Sequence, residues 1–157
     1  MHALGLPYQD THFYDTEELN HLYHITQVRL ELARSTHVPR HTWISERAIA
    51  ATYSQKMAGD TLPHLPDGAL ELDEDAVVSM GRNSSLSLKR NDRIAVETEL
   101  SRKKFARLDE ILLSLLENYS GVWYFCTSKP YDAVMVTKHS LTQAQQQRIR
   151  VLHLDAH

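Results

Sequence analysis

A single cysteine, Cys126, leaves nothing from which to build a disulfide framework or a cysteine-based zinc site. Glycine and proline are scarce, five of each in 157 residues, which excludes a collagen-like or low-complexity chain. No stretch approaches the ~18 consecutive apolar residues of a membrane span. Met1–Asp10 has neither a basic start nor an apolar run, so the sequence predicts no signal peptide, no membrane partner and a cytoplasmic location. The phosphate-cradling G-x-G-x-x-G and G-x-x-x-x-G-K-[ST] loops are missing, as is the G-x-S-x-G elbow of serine hydrolases.

What is present suits one soluble globular domain over residues 1–157, with an N-terminal extension at 1–14 and a core at about 15–154. Hydrophobic residues make up 42% and charged residues 24%, and the net charge is −3. The charges are unevenly placed. From Asp60 to Asp75 every charged residue is acidic, whereas Arg82 to Arg107 holds eight basic residues against the three acids Asp92, Glu97 and Glu99. A basic zone beside carboxylates suits a phosphate-bearing substrate; a solvated surface is the plainer explanation.

Periodicity predicts a first helix over 16–34, capped by Asp15 with Glu18 three residues on, whose broad apolar stripe (Leu19, Leu22, Tyr23, Ile25, Leu30, Leu32) suits packing on a sheet. After the break at Pro39, an extended piece at 41–44 precedes a helix capped by Ser45 that runs to Met57, with Gly59 beyond its end. Residues 62–66 read as a connector and 68–72 as a strand. Residues 73–93 are polar and loop-like, with room for a hairpin around 77–80 and 86–88. The alternation over 93–100 is the clearest strand. Ser101 reads as the cap of a helix over 102–118, and the apolar run 122–126 as an interior strand. Residues 130–136 fit helix or strand; 141–147 fit a helix capped by Ser140, and 148–154 a last strand. The fold class is α/β, a mixed central sheet flanked by helices.

The carboxylates are spaced for chemistry. Period-two geometry puts Glu97 and Glu99 on one face of their strand. If the strand opened by Pro66-Asp67-Gly68 lies beside it, Asp67 approaches Glu97. Carboxylates sharing a site repel unless a divalent cation neutralises them, and oxygen donors favour Mg²⁺ or Mn²⁺ over zinc. Arg102, Lys103 and Lys104 follow at the predicted helix start, within reach of a phosphate or an attacking water.

The order Pro-Asp, a gap, then Glu-x-Glu on a strand before a basic helix start resembles the PD-(D/E)xK nuclease superfamily. More narrowly, the chain resembles the nuclease-like domain of the replication-relaxation family of plasmids and other mobile elements. The matching pieces are His21-Leu22-Tyr23-His24, Trp43-Ile44-Ser45-Glu46-Arg47, His64-Leu65-Pro66-Asp67-Gly68, Ala95-Val96-Glu97-Thr98-Glu99, Ser101-Arg102-Lys103-Lys104 and Val122-Trp123-Tyr124-Phe125-Cys126. The resemblance implies a restriction-endonuclease-like fold acting on DNA in replication or transfer, with replication or transfer proteins as partners and pairing into a homodimer. It implies Mg²⁺ (or Mn²⁺) held by Asp67 and Glu97, with Glu99 as a further catalytic-site carboxylate, Glu46 as an accessory acid, and DNA contacts from Arg102, Lys104 and Arg107. The family's domain often follows a DNA-binding winged helix, which these residues do not contain. Glu99 stands where the superfamily has its lysine. Either Lys103, or failing it Lys104, supplies that charge from the following helix, or the domain is a catalytically inactive, nuclease-derived module that binds DNA or protein; the plainest alternative is carboxylates that meet only solvent or arginine partners.

Other residues have plainer roles. The spacings of His21 with His24 and of His37 with His41 allow shared metal binding, but no third ligand is marked and Pro39 interrupts the second pair, so packing or surface roles are expected; His21 or His24 can still line the site. Glu46 at a helix start complements the helix dipole, unless it joins the acidic site. Cys126 reads as an inert core thiol.

Overall fold

The computed structural model describes residues 15–56 and 63–154. The predicted extension at 1–14 and the predicted helix end at Met57 and Gly59 lie outside them. In chain order the elements are α1 (Thr16–Arg34), β1 (His41–Ser45), α2 (Glu46–Lys56), β2 (Gly68–Leu72), β3 (Ala76–Gly81), β4 (Ser84–Leu88), β5 (Arg93–Glu99), α3 (Phe105–Asn118), β6 (Gly121–Cys126), α4 (Ser128–His139), α5 (Gln143–Gln146) and β7 (Ile149–His153).

Five strands form one mixed sheet in the order β1-β2-β5-β6-β7, and β3 pairs with β4 as a separate hairpin. β2 runs antiparallel to both of its neighbours, β1 and β5, while β6 and β7 continue parallel to β5. Parallel neighbours need crossover connections, and α3 and α4 supply them. β5 and β6 are covered on both faces, which explains the unbroken apolar run of β6. On one face Ala95, Val122 and Tyr124 pack against Ile49 of α2, Leu108, Ile111, Leu112 and Leu115 of α3, and Val134 of α4. On the other, Ile94, Val96, Trp123 and Phe125 meet Val28 and Leu32 of α1 and Val78, Met80 and Leu88 of the hairpin. Among the described residues no helix is long and apolar enough to cross a membrane.

The capping box of α1 forms as expected: Glu18 N–H donates to Asp15 at 2.8 Å and Asp15 N–H to Glu18 at 3.1 Å. Several local expectations are corrected. The apolar stripe of α1 is largely uncovered: only Val28 and Leu32 are buried, while Leu19, Leu22, Tyr23 and Leu30 are exposed. At 100° per residue Leu19, Tyr23 and Leu30 lie nearly opposite Val28 and Leu32 around the helix, so the side that packs on the sheet is not theirs. Within residues 73–93 the hairpin allowed around 77–80 and 86–88 does form, as β3 and β4. The third helix begins at Phe105 rather than at residue 102, with Lys104 at its cap position and no side-chain cap bond. Ser101 therefore caps nothing, and Arg102, Lys103 and Lys104 lie in the β5–α3 connector. Ser140 ends α4, and Thr142 caps the short α5 through a capping box with Gln145. Residues 130–136 are helical.

At Gly68, the first position of β2, the backbone lies close against the Trp43 ring. A Cβ built there would overlap Cζ2 and Cη2 of the Trp43 ring and stand 2.9 Å from Cε2. Trp43 sits in β1 and has Arg29 over its ring at 5.9 Å. Gly68→Ala is expected to destabilise the fold by about 1–3 kcal/mol and lower the melting temperature by roughly 2–12 °C. A melting curve superimposing on that of the wild type would refute this close approach.

Candidate functional site

The strand register builds the site. Ser45, Gly68, Val96 and Trp123 are aligned across β1, β2, β5 and β6. One step further along that end come Glu46, Asp67, Glu97 and Tyr124. Two antiparallel reversals thus bring three carboxylates, from positions far apart in the chain, into one row. A cavity of about 560 Å³ opens over it, lined by Glu46, Asp67, Glu97, Glu99 and Lys103 together with His21 and His64.

Each carboxylate has a definite partner. Thr98 N–H donates to Asp67 Oδ2 at 2.7 Å, fixing the side chain that precedes β2 against β5. His21 of α1 brings Nε2 within 3.4 Å of the same Asp67 oxygen and 3.2 Å of the Thr98 carbonyl. Both neighbours are acceptors, so Nε2 carries the proton. Hydrogen bonding to Asp67 raises the His21 pKa above its ordinary value against the opposing effect of burial. His64 Nε2 lies 2.8 Å from Glu97 Oε1. Glu99 is ion-paired with Lys103 and accepts from the Tyr124 hydroxyl at 3.2 Å.

Glu97 is 5% exposed, and its carboxyl pKa is pushed well above the ordinary value, first by burial and then by the charges of Asp67 and Glu99. Burial lowers the His64 pKa, helped by Arg107. The two shifts disfavour charge on both members of the contact. Burial and the Asp67 charge also raise the Glu46 pKa, and His21 and His64 oppose them.

Sequence reasoning named Asp67, Glu97, Glu99, Lys103 and Glu46, and all five line this cavity. It allowed His21 or His24 to line the site. His21 does so, while His24 bonds Asn20 O of its own helix at 2.8 Å. His64 and Tyr124 were given no role. The available signal for His64 was an imidazole three residues before Asp67, in a connector that must cross the sheet end. Tyr124 had none, because which strand neighbours β5 is a tertiary fact.

The basic stretch does not form one patch. Lys89 and Arg90 sit in the β4–β5 turn, at the opposite end of the seven-residue β5, roughly 20 Å away. Arg102 stands over the Phe105 ring at 5.7 Å, Lys104 is exposed, and Arg107 pairs with Glu110 at 3.3 Å. These three do not line the cavity. Cys126 is buried, and burial pushes its thiol pKa upward, as befits an inert core residue.

Among the described residues no group of three His, Cys, Asp or Glu side chains forms a ready metal cage. Mg²⁺ does not require one, since it is commonly held by one or two carboxylates, with water and substrate phosphate completing the shell. Asp67, just before β2, and Glu97, on the adjacent β5, are hard oxygen donors, and Glu97 is buried among like charges. That donor set fits a divalent cation of this kind. Compared with known proteins, the chain matches no family model, no curated protein and no solved structure.

Proposed function

We propose that the protein is a restriction-endonuclease-like domain that hydrolyses phosphodiester bonds in DNA, and that this cavity is its active site. The observation that carries the reading is the row Glu46–Asp67–Glu97 at the shared end of β1, β2 and β5, with Lys103 entering the same cavity beside Glu99. The succession of α1, an antiparallel β1–β2–β5 unit, α3 and a parallel β6 supports the fold assignment. Action in replication or transfer of a mobile element, with proteins of that process as partners, follows only from the sequence resemblance.

Asp67 and Glu97 would hold Mg²⁺ or Mn²⁺, which supplies a bound water of lowered pKa and neutralises charge developing on the phosphate. The chain's own groups set the geometry. Thr98 N–H and His21 fix Asp67, and His64 fixes Glu97. Tyr124 and Lys103 share Glu99, which holds the ammonium group at the cavity wall. There Lys103 orients the water and stabilises the pentavalent phosphate oxygens. Hydrolysis breaks one P–O ester bond, forms one P–O bond to the water oxygen and releases a hydroxyl end.

A second reading rests on a different observation. Every one of Asp67, Glu97 and Glu99 already has a protein partner, as expected of an inactive module whose former site has become self-satisfied. The first test is cleavage of single-stranded, duplex and branched DNA with either metal. No cleavage of any of them by the folded wild type would favour the inactive module. A companion measurement locates the cation. Mg²⁺ or Mn²⁺ is expected to raise the melting temperature, by about 2.7 kcal/mol of stabilisation at a hundredfold excess over Kd, and Asp67→Ala is expected to abolish the rise. An equal rise in Asp67→Ala would place the metal elsewhere.

A further inference from the structure

Two further cavities lie along the β7 edge of the sheet. One, of about 490 Å³, is walled mainly by aromatic and aliphatic groups, including Trp123, Phe125 and Leu32. The other, of about 740 Å³, is a groove between the β3 end of the hairpin and α4, running along β7. Both are lined by Ser79, Arg150 and Leu152, so the two adjoin with Arg150 at their junction.

The groove is unusual for this chain. In a protein with more acidic than basic residues, its lining contains Arg82, Lys138, Arg150 and His153 and not one carboxylate. Among the described residues Arg82, Lys138 and Arg150 form no ion pair. Arg150 donates a long bond of 3.4 Å to the Ser79 carbonyl and stands over the Trp123 ring at 5.9 Å. Lys138 is half-buried, and burial lowers its pKa. Unpaired cations gathered in a concave surface are held against mutual repulsion and desolvation, a cost that a bound anion relieves.

The adjoining cavity shows a complementary deficit. Trp123 is 3% exposed, and its Nε1 is buried without a hydrogen-bond partner among the described residues. A buried indole N–H normally has an acceptor. Apolar walls and Glu31 as an acceptor in the lining suit a planar heterocycle with polar edges. At the far end of the groove Tyr131 and His153 stack at 3.6 Å. Glu99, Cys126 and His153 are in register across β5, β6 and β7. The stacked pair therefore stands at the same sheet end as the carboxylate cavity, two strands or roughly 10 Å away.

We infer that these joined cavities form a nucleotide-binding site, with the base against Trp123 and Phe125 and the phosphate on Arg82, Lys138 and Arg150. The nucleotide is either free or one unit of a single strand. The site uses none of the carboxylate row and needs no metal, so it stands whether or not the domain cleaves DNA.

The test is equilibrium binding of the full chain in EDTA, by calorimetry for thymidine monophosphate, thymidine and inorganic phosphate, and by anisotropy for a labelled short oligothymidylate. The monophosphate is expected to bind at least about tenfold more tightly than thymidine or phosphate alone, since it fills both cavities. Arg82→Ala with Lys138→Ala is expected to weaken it about tenfold or more, and Trp123→Phe to reduce the preference for nucleotide over phosphate. An oligonucleotide binding far more tightly than the monophosphate marks a strand as the ligand; equal affinities mark the free nucleotide. Should the double variant fail to fold, Arg82→Glu changes an exposed residue alone and must show the same loss. The inference is overturned by absence of nucleotide binding, by phosphate binding as well as the monophosphate, or by folded variants retaining wild-type affinity.

Discussion

Glu97→Gln is expected to melt at a higher temperature than the wild type at neutral and alkaline pH, and to lose DNA cleavage. The carboxylate is buried and lies beside Asp67 and Glu99, so its folded-state pKa is raised above the unfolded value. The native state then holds the proton more tightly than the unfolded chain, and stability falls as pH rises from the unfolded pKa through the folded one. Above that window the full penalty of a buried charge is present. Gln keeps the shape, can accept from His64 Nε2 through its amide oxygen and carries no charge. The expected gain is ~1–4 kcal/mol, the range over which apolar replacements of buried ion pairs often stabilise proteins. It should shrink to nothing below about pH 4, where the wild-type carboxyl is protonated in both states. Cleavage should fall by ~10²-fold or more, because a neutral amide is a poor partner for the cation and for the charge it neutralises. Thermal melts across pH, paired with a cleavage assay, read both effects. A variant less stable than the wild type throughout, or one that cleaves normally, would contradict this role for Glu97. Opposite movements of stability and activity at one position would mark a site kept at the expense of the fold.

Lys103→Ala should remove Mg²⁺-dependent cleavage while weakening DNA binding only slightly, since one phosphate contact is a small share of an electrostatic interface. The substitution also leaves Glu99, 4% exposed, without its cation, so a purely structural explanation must be separated from a catalytic one. The double variant Lys103→Ala with Glu99→Gln makes that separation. The amide needs no counter-charge and still accepts from Tyr124, so stability should return toward the wild-type value while cleavage stays absent. Lys103→Arg keeps the charge and should retain part of the activity. Cleavage by Lys103→Ala at the wild-type rate would remove this lysine from the mechanism, and recovery of cleavage in the double variant would make its role structural.

The amino-acid sequence by itself determined the elements whose causes are local. The capping box at Asp15 and Glu18, the alternation over residues 93–99, the 3–4 spacing of Leu108, Ile111, Leu112 and Leu115, and the apolar run 122–126 each report on a few neighbouring residues, and each stands where its pattern points. Period two also put Glu97 and Glu99 on one face. The start of α3 was less legible, because Ser101 has the chemistry of a cap, but the crossover from β5 to β6 needs slack first and Lys103 is drawn back to Glu99.

Only the tertiary structure decided which strands are neighbours, and the site depends on that. Glu46, Asp67 and Glu97 form a row because β1, β2 and β5 pair antiparallel in one register, a long-range choice that no local pattern encodes. The same choice brings His64 to Glu97 and Tyr124 to Glu99, and divides the basic stretch between the two ends of β5. It also selects the side of α1 bearing Val28 and Leu32 to meet the sheet, which leaves Leu19, Tyr23 and Leu30 facing away from it. Local propensity fixes what a segment becomes; burial of a shared face, settled by all segments together, fixes what it touches.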